Sequence, residues 1–389
     1  MMRSLSAIAL ALGGALFMVA PASAQRADTS RAFVEGGIYD RPYLTRLLGR
    51  TAIGGYAEAH ARWVRADGVT EEAGFVAKRF NLFTATQVSD WVRVGAEVEF
   101  EEGGEEIRLE YAAIDVLVHP AFAIRGGMIL SPLGRFNLAH DSPLNPFTDR
   151  PLVSTEILGV ALSEPGLGIL GSIRLGEVAR ITYELYGVNG FNAGVIETNS
   201  GTRIPDGRAN FEDNNASPSF VGRVAWSPSH TFALGASAHH GAYNVFERDG
   251  GAVDDRRDLS IGVIDIDAAV AGFGISGEAA LAEIDIPASL EDIAARRQRG
   301  AYLDLVRQVG AALIPTMPSS FFLLKARVEA VDFDADAAGQ DIRQFGLGLT
   351  FHPTRDTALK LDYTRGHSRD RFSNPSDHAG VFFSIATYF

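Results

Sequence analysis

Charged side chains recur at every second position through much of this 389-residue chain, with apolar side chains between them. In WVRVGAEVEF, residues 91–100, Arg93, Glu97 and Glu99 share one parity, whereas valine and phenylalanine occupy the other. Fixed charges on one face can replace part of the hydration that a polar solute loses, and a row of one sign selects solutes by charge. This spacing therefore favours contact with polar or charged solutes along a wet surface.

The same parity analysis puts acidic and basic side chains on one face in similar numbers. The basic set is Arg62, Arg79, Arg93, Arg108, Arg125, Arg174, Arg180, Arg223, Lys325, Arg327 and Lys360, and the acidic set is Glu58, Glu97, Glu99, Glu110, Glu184, Asp265, Asp267, Glu278, Glu329 and Asp362. The residues that we predict to line the narrowest region are Arg125, Arg135, Asp141, Asp149 and Arg150. The residues that we predict to line the rest of the lumen include Arg62, Arg93, Arg180, Lys325 and Arg327.

Catalytic and metal-binding patterns are not evident. His119, His140, His239, His240 and His352 share no common face with metal-ligand spacing. No serine stands in a G-x-S-x-G context, and the chain has no cysteine. A net charge of −13 disfavours nucleic acid as a partner. We expect no catalytic residues, no bound metal and no cofactor.

A period of two over long segments predicts an all-β protein. The segments run for about 10 to 15 residues, which suits tilted membrane-spanning strands better than the shorter strands of an aqueous sandwich. The predicted fold is a transmembrane antiparallel β-barrel of about 16 strands, near residues 51–66, 74–86, 91–102, 106–118, 121–131, 166–175, 178–189, 219–227, 231–246, 257–270, 272–287, 300–314, 320–333, 341–352, 357–369 and 379–389.

The connections support this prediction because short and long links alternate, as periplasmic turns and outer loops do in such barrels. Tight links include QVSD, HPA and PTMPS, whereas residues 131–165 and 189–218 form long loops. Long loops without secondary structure are usually functional or disordered. The third outer loop has several prolines and the aromatic residues Phe136 and Phe147, so we predict that it folds into the lumen; a lid over the outer mouth is the alternative.

The two ends of the chain fit export to the outer membrane. Residues 1–24 end in an A-x-A site after a short apolar run and predict a signal peptide; residues 25–50 would be a periplasmic lead, and 51–389 the barrel. The last residues, GVFFSIATYF, alternate up to Phe389, and a closed barrel would pair this strand with the first. The predicted location is the bacterial outer membrane, with lipid and lipopolysaccharide as neighbours.

The stretch GGMILSPLGRFNLAHDSPLNPFTDRPLV, together with GGYAEAH in the first strand, resembles the phosphate-selective porin O and P family. The match includes Pro132, Asn137, Asp141 and the Asp149-Arg150-Pro151 run. The resemblance implies a sixteen-stranded, homotrimeric channel for passive diffusion of small polar or charged solutes, with anions such as phosphate among them. The family's selectivity rests on lumen-facing arrays of bases, and this chain departs from them by matching its bases with acids.

Two other functions remain open from the sequence. A barrel with a closed lumen would serve as a structural or adhesion protein, and conductance would distinguish it from a channel. A barrel hydrolase is the enzymatic alternative. Our prediction is a non-enzymatic channel.

Overall fold

A computed structural model describes residues 45–48, 51–197 and 201–389. Within these residues, sixteen antiparallel strands form one sheet that closes on itself, and a short strand, Thr45–Leu48, pairs with the start of the first barrel strand. The barrel strands are β1 Thr51–Ala66, β2 Val69–Gln87, β3 Val92–Glu101, β4 Glu106–His119, β5 Phe122–Leu130, β6 Ser163–Leu175, β7 Ala179–Val188, β8 Ser219–Ser229, β9 Phe232–Ala242, β10 Asp258–Val270, β11 Phe273–Ile284, β12 Arg297–Val309, β13 Phe321–Asp332, β14 Asp341–His352, β15 Thr357–Arg369 and β16 Pro375–Tyr388. The predicted fold class is confirmed. The predicted signal peptide and most of the predicted lead lie outside the described residues.

The C-terminal strand closes the barrel. β16 pairs with β1 from Tyr388 opposite Tyr56 to His378 opposite Ala66. Backbone groups of Gly55 and Phe389 exchange hydrogen bonds of 3.3 and 3.0 Å. Because each barrel strand has a neighbour on both sides, no long edge is left with unpaired backbone groups.

Alternate residues of the wall face opposite environments. In β16, the outward Val381, Phe383 and Ile385 are 41 to 43% exposed, whereas the inward Ser384 and Ala386 are fully covered. The same pattern puts leucine, isoleucine and phenylalanine on the outside of most strands. An apolar exterior of this extent is stable against acyl chains. The barrel is therefore an integral membrane protein of the outer-membrane type.

The long connections lie at one end of the barrel, which is the outer end by comparison with such proteins. Outer connections are residues 67–68, 102–105, 131–162, 189–218, 243–257, 285–296, 333–340 and 370–374; periplasmic ones are 88–91, 120–121, 176–178, 230–231, 271–272, 310–320 and 353–356.

Two connections differ most from the sequence prediction, and other strand ends differ by a few residues, as where β16 begins at Pro375 instead of 379 and β9 ends at Ala242 instead of 246. The first outer connection is a two-residue turn instead of a longer loop, because Asp67 and Gly68 both adopt positive φ (49° and 84°) and continue β1 directly into β2. The periplasmic link at 310–320 is longer than PTMPS, because β12 ends at Val309 and Gly310 turns the backbone with φ 63°.

The outer loops carry only short helical segments. These are α1 Arg135–Leu138, a π-helical turn at Ser154–Leu158, and 3-10 turns at Glu102–Gly104, Ala193–Val195, Ile204–Gly207 and Ala288–Leu290. A small ribbon pairs Glu247–Arg248 with Gly251–Ala252. None of the helices in the described part of the chain has the length and apolar character needed to cross a membrane.

An apolar cluster lies inside the barrel, on the side of β7 to β12. It joins side chains of loop 131–162 and loop 189–218 to inward residues of the wall. Among its fully buried members are Val153, Ile157, Val195, Ile204, Leu259 and Ile261. This cluster fixes both loops against the wall and fills part of the interior.

Candidate channel lumen

Inward-facing arginines bind acidic side chains on neighbouring strands. Arg327 of β13 contacts Asp304 of β12 through two hydrogen bonds of 2.6 and 2.7 Å. Arg125 of β5 contacts Asp115 of β4 through two of 2.7 and 2.8 Å. In both cases the strand register puts the two residues directly opposite each other. Two-point contacts fix the guanidinium plane, so these groups are rigid parts of the wall.

A second group of buried charges is centred on Arg79 of β2. Its guanidinium lies 3.2 Å from a carboxylate oxygen of Glu58, 3.3 Å from Glu99 and 3.2 Å from Glu101. Lys78 lies 3.9 Å from Glu101 in the same group. The wall is therefore mixed in sign on this side as well.

Loop 131–162 donates backbone hydrogen bonds to carboxylates of the wall. The N–H of Thr148 binds Asp362 of β15 at 2.8 Å, and the N–H of Leu152 binds Glu329 of β13 at 2.7 Å. Hydrogen bonds to a charged acceptor are stronger than those between neutral groups. These inward acids therefore fix the loop in addition to contributing charge.

Two lysines bind carbonyl groups of the same loop. Nζ of Lys360 donates to the carbonyls of Ser142 and Phe147 at 2.7 and 3.2 Å. Nζ of Lys325 donates to the carbonyl of Pro146 and lies 4.8 Å from the centroid of the Phe147 ring. The loop segment 142–147 is thus held on the face of β13 and β15.

The first part of the loop contacts the opposite group of strands. The N–H of Phe136 donates to Glu278 of β11 at 2.5 Å, and Arg135 pairs with Asp267 of β10 at 2.9 Å. The side chains of Arg135 and Asp267 are 37% and 41% exposed. This pair is therefore accessible from the interior, unlike the buried pairs of the wall.

A second accessible group surrounds Asp149. Arg62 of β1 contacts Glu72 and Asp149 at 3.0 Å each, and Arg327 donates to the backbone carbonyl of Asp149 at 2.9 Å. The side chains of Arg62, Asp149 and Glu72 are 25%, 36% and 40% exposed. The structure thus brings together Arg62, Asp149 and Arg327, with Lys325 on the adjacent face of Phe147.

Asp141 and Arg150 lie elsewhere in the same loop. Asp141 is buried and accepts a hydrogen bond of 3.0 Å from the hydroxyl of Tyr388, which links the loop to β16. Arg150 is half-buried next to Asp149. The contact with Tyr388 makes Asp141 part of the loop's fixed structure.

The other predicted residues, Arg93, Arg125 and Arg180, lie on β3, β5 and β7. Arg93 and Arg125 stand on either side of Asp115 in the strand register, so they form one cross-strand row. Arg180 lies two residues after the periplasmic turn 176–178 and is half-buried. These three are separate from the group around Asp149.

Sequence reasoning missed Glu72, Asp115 and Asp304 as members of the charged interior. Asp115 and Asp304 stand on the inward parity of β4 and β12, so alternation carried a signal for them. Glu72 was assigned to a loop because TEEAG does not alternate. Its role follows from the register of β1 and β2, where Glu72 lies opposite Val64.

A cavity of about 480 Å³ lies at the outer end between β3, β4 and the two long loops. Its lining includes Glu99, Glu110, Arg108 and Arg208. Burial, together with the nearby guanidinium of Arg108, holds the pKa of Arg208 below its usual value. Among the described residues, no group of three or more His, Asp or Glu side chains could hold a metal ion.

No family model matches the chain. A protein of Aquifex aeolicus (strain VF5), described only as uncharacterized, is 32% identical over 194 residues, which are 48% of this chain and 43% of that protein. The chain therefore spans less than half the length of this relative.

Solved structures share the fold. The outer membrane channel DcaP of Acinetobacter baumannii is 12% identical with a TM-score of 0.55, over 87% of this chain and 97% of that one. The anion-selective porin from Comamonas acidovorans is 12% identical with a TM-score of 0.55, over 87% and 99%. The shared fold is that of an integral β-barrel of the outer membrane. This likeness extends to porins in general and does not single out the phosphate-selective family.

Proposed function

We propose that the chain forms a channel for passive diffusion of small polar solutes across the outer membrane. The observation that carries this proposal is loop 131–162, which is tied to strands on several sides of the interior and leaves the charged groups around Asp149 and Arg135 accessible. The porin fold supports the same function. Loop 131–162 then narrows the passage, and the accessible charges line its narrowest part.

The balance of charge supports a channel with weak ion preference. The inward residues Arg62, Arg125 and Arg327 and the loop residue Arg135 contact acids, and both accessible groups contain both signs. A solute that enters meets a donor and an acceptor together, which suits neutral polar and zwitterionic solutes at least as well as phosphate. We therefore propose that phosphate crosses only as one small solute among others.

Planar-bilayer recording with a salt gradient tests the proposal. We expect the purified barrel to conduct with a small reversal potential, and Arg135→Glu to shift it toward cation preference, because Asp267 then has no basic partner. Arg365→Glu is the matched control, since Arg365 faces outward on β15, and it should leave the reversal potential unchanged. Absence of conductance at any voltage would contradict the proposal and favour a structural barrel.

A structural barrel with a closed lumen is the second candidate function. The apolar cluster beside β7 to β12 supports it, because this cluster fills part of the interior. Liposome swelling decides between the two functions independently of charge. A channel admits small neutral sugars and excludes large ones, whereas a closed barrel admits neither.

We also propose that the chain assembles as a homotrimer, on the basis of its resemblance to porins. Native mass spectrometry of the detergent-solubilised protein gives the subunit number directly. A monomer would leave the channel proposal intact, because each barrel closes by itself.

A further inference from the structure

The outer surface of the barrel has a groove at the outer end of β11 to β14. Ala279, Ala301 and Ala330 stand opposite one another on three successive strands, and Arg343 follows in the same row on β14. All four side chains belong to the outward parity. Because alanine projects little from the sheet, this row forms the centre of a depression of about 770 Å³ that extends past Ile264 of β10 to Ala236 of β9.

Two arginines stand at the outer end of this groove. Arg299 lies in the next row of β12, and its side chain is 62% exposed, whereas that of Arg343 is 74% exposed. Arg299 contacts Asp332 with nitrogen–oxygen distances of 3.0 and 2.9 Å, and Arg343 lies 3.5 Å from Asp341. Each guanidinium has five donors, so most of them remain available.

The carboxylate nearest Arg343 already accepts hydrogen bonds from another arginine. Asp341 accepts two hydrogen bonds from Arg369, at 2.8 and 2.6 Å, and is 8% exposed. The contact of Arg343 with this carboxylate is longer than a hydrogen bond. Arg343 is therefore a cation on the outside of a membrane protein with only a weak partner in the described residues.

The position of these arginines matches the head groups of the outer leaflet. Arg299 and Arg307 face outward on the same strand. Eight residues of strand span about 26 Å, or about 20 Å along the membrane normal at a tilt of about 40°. The apolar band of such barrels is about 25 Å tall. Arginine side chains extend toward the interface and cover the few ångströms that remain on each side. The outward residues between the two arginines are Ala301, Leu303 and Leu305. Arg299 therefore marks the outer boundary of the apolar band, and Arg307 marks its periplasmic boundary.

We propose that this groove binds a phosphorylated lipid of the outer leaflet, with phosphate on Arg299 and Arg343 and an acyl chain along Ala279, Ala301 and Ala330. Arginine binds phosphate through two parallel hydrogen bonds, and the groove volume is within the range of small-molecule sites. Charge complementarity selects this occupant over an uncharged lipid. The inference goes beyond the proposed function, because it concerns the exterior and does not depend on conduction.

A second copy of the chain is the main competing occupant. Its approach would have to bury both exposed guanidinium groups, which costs free energy unless acids of the copy meet them. In a lipid bilayer the same groups already face phosphate at this depth. The lipid is therefore favoured, and the test below separates the two.

The test is native mass spectrometry of the detergent-solubilised full chain with a diphosphorylated lipid A-type glycolipid and its dephosphorylated form. We expect the phosphorylated lipid to bind at least tenfold more tightly to the unmodified chain, and R299Q/R343Q to reduce its binding to the level of the dephosphorylated form. R307Q is the matched control, on the same strand and face at the other leaflet, and should change binding less than twofold. Ala301→Phe fills the groove and should weaken both lipids at least fivefold.

Three results would overturn the inference. The double variant could bind the phosphorylated lipid as tightly as the unmodified chain, or R307Q could weaken binding as much as the double variant. The third is that the double variant changes the subunit number, which would make the groove a contact between copies. Retained heat-modifiable mobility in gels verifies that each variant is folded.

Discussion

At the scale of single residues, the interior is organised by pairs of opposite charge. Arg327 with Asp304 and Arg125 with Asp115 are each nearly inaccessible and joined by two hydrogen bonds. Removing one member of a buried pair leaves an unpaired charge, whereas removing both often costs little. The pairs therefore contribute to stability only as units.

A double-mutant cycle on Arg327 and Asp304 tests this interpretation. We expect Arg327→Met to lower the free energy of unfolding by about 3 to 5 kcal/mol, because Asp304 stays buried without its partner. Adding Asp304→Leu should recover most of that loss. Urea unfolding in lipid vesicles, followed by tryptophan fluorescence, measures both. A double variant as unstable as the single one would show that the pair does not act as a unit.

The sequence shows which charged residues face inward more reliably than it shows which of them contact one another. Alternation indicated which charged residues face inward, so Lys325, Arg327 and Arg125 could be named. It did not indicate that Asp115 lies between Arg93 and Arg125, because neighbours across strands depend on register. For the same reason the sequence did not separate the accessible pair Arg135–Asp267 from the buried one at Arg125.

At the scale of elements, loop 131–162 is the segment with the greatest effect on the proposed passage. Its backbone binds acids of β11, β13 and β15 and both interior lysines. Of the three lysines in the chain, Lys325 and Lys360 contact this loop, and Lys78 does not. Charged groups of the wall thus hold the loop at many points. The position of the loop therefore depends on these wall residues as well as on its own sequence.

Lys360→Met should loosen this loop. The variant keeps the length of the side chain and removes two hydrogen bonds from a charged donor, which we expect to cost roughly 2 to 4 kcal/mol of stability. In single-channel recordings the mean conductance and its noise should both rise. Lys78→Met is the control, because the polar contacts of Lys78 within the described residues are those of 3.9 Å with Glu101 and Glu102. Unchanged conductance in Lys360→Met would show that the loop does not limit the passage.

The bounds of strands were predictable where alternation is unbroken. β14 and β15 begin and end where the sequence indicated, at 341–352 and 357–369. The start of β2 was missed because TEEAG reads as a polar loop, although the turn at Asp67 and Gly68 extends the strand to Val69. The path of loop 131–162 follows from contacts distant in sequence, which periodicity cannot supply.

At the scale of the whole molecule, closure between β16 and β1 determines whether a barrel exists. Packing around β1 is tight at Gly55, where an added Cβ would lie 2.2 Å from the carbonyl oxygen of Asn81 on β2 and 2.5 Å from the ring of Phe389 at the seam. The Phe389 ring stacks on Phe80, 5.5 Å away. The last residue of the chain therefore packs over the first strand of the barrel.

Gly55→Val should prevent closure. A branched side chain at this position meets the backbone of β2 on one side and the terminal ring on the other, so β1 must shift relative to both of its neighbours. We expect loss of the compact, heat-modifiable band in gels after refolding into detergent. Gly74→Val on β2 is the control, because nothing lies within 4 Å of its added Cβ. Normal migration of Gly55→Val would show that the seam can rearrange.

The inward course of loop 131–162 also affects what the cell presents to its surroundings. A segment held beneath the rim by buried contacts is hidden from antibodies, bacteriophages and proteases, whereas the short turns at 67–68, 102–105 and 370–374 face them directly. Substitutions at those tips disturb few contacts, while most changes in the loop break a bond to the wall. We therefore expect variation at the tips to leave the contacts between the loop and the wall unchanged.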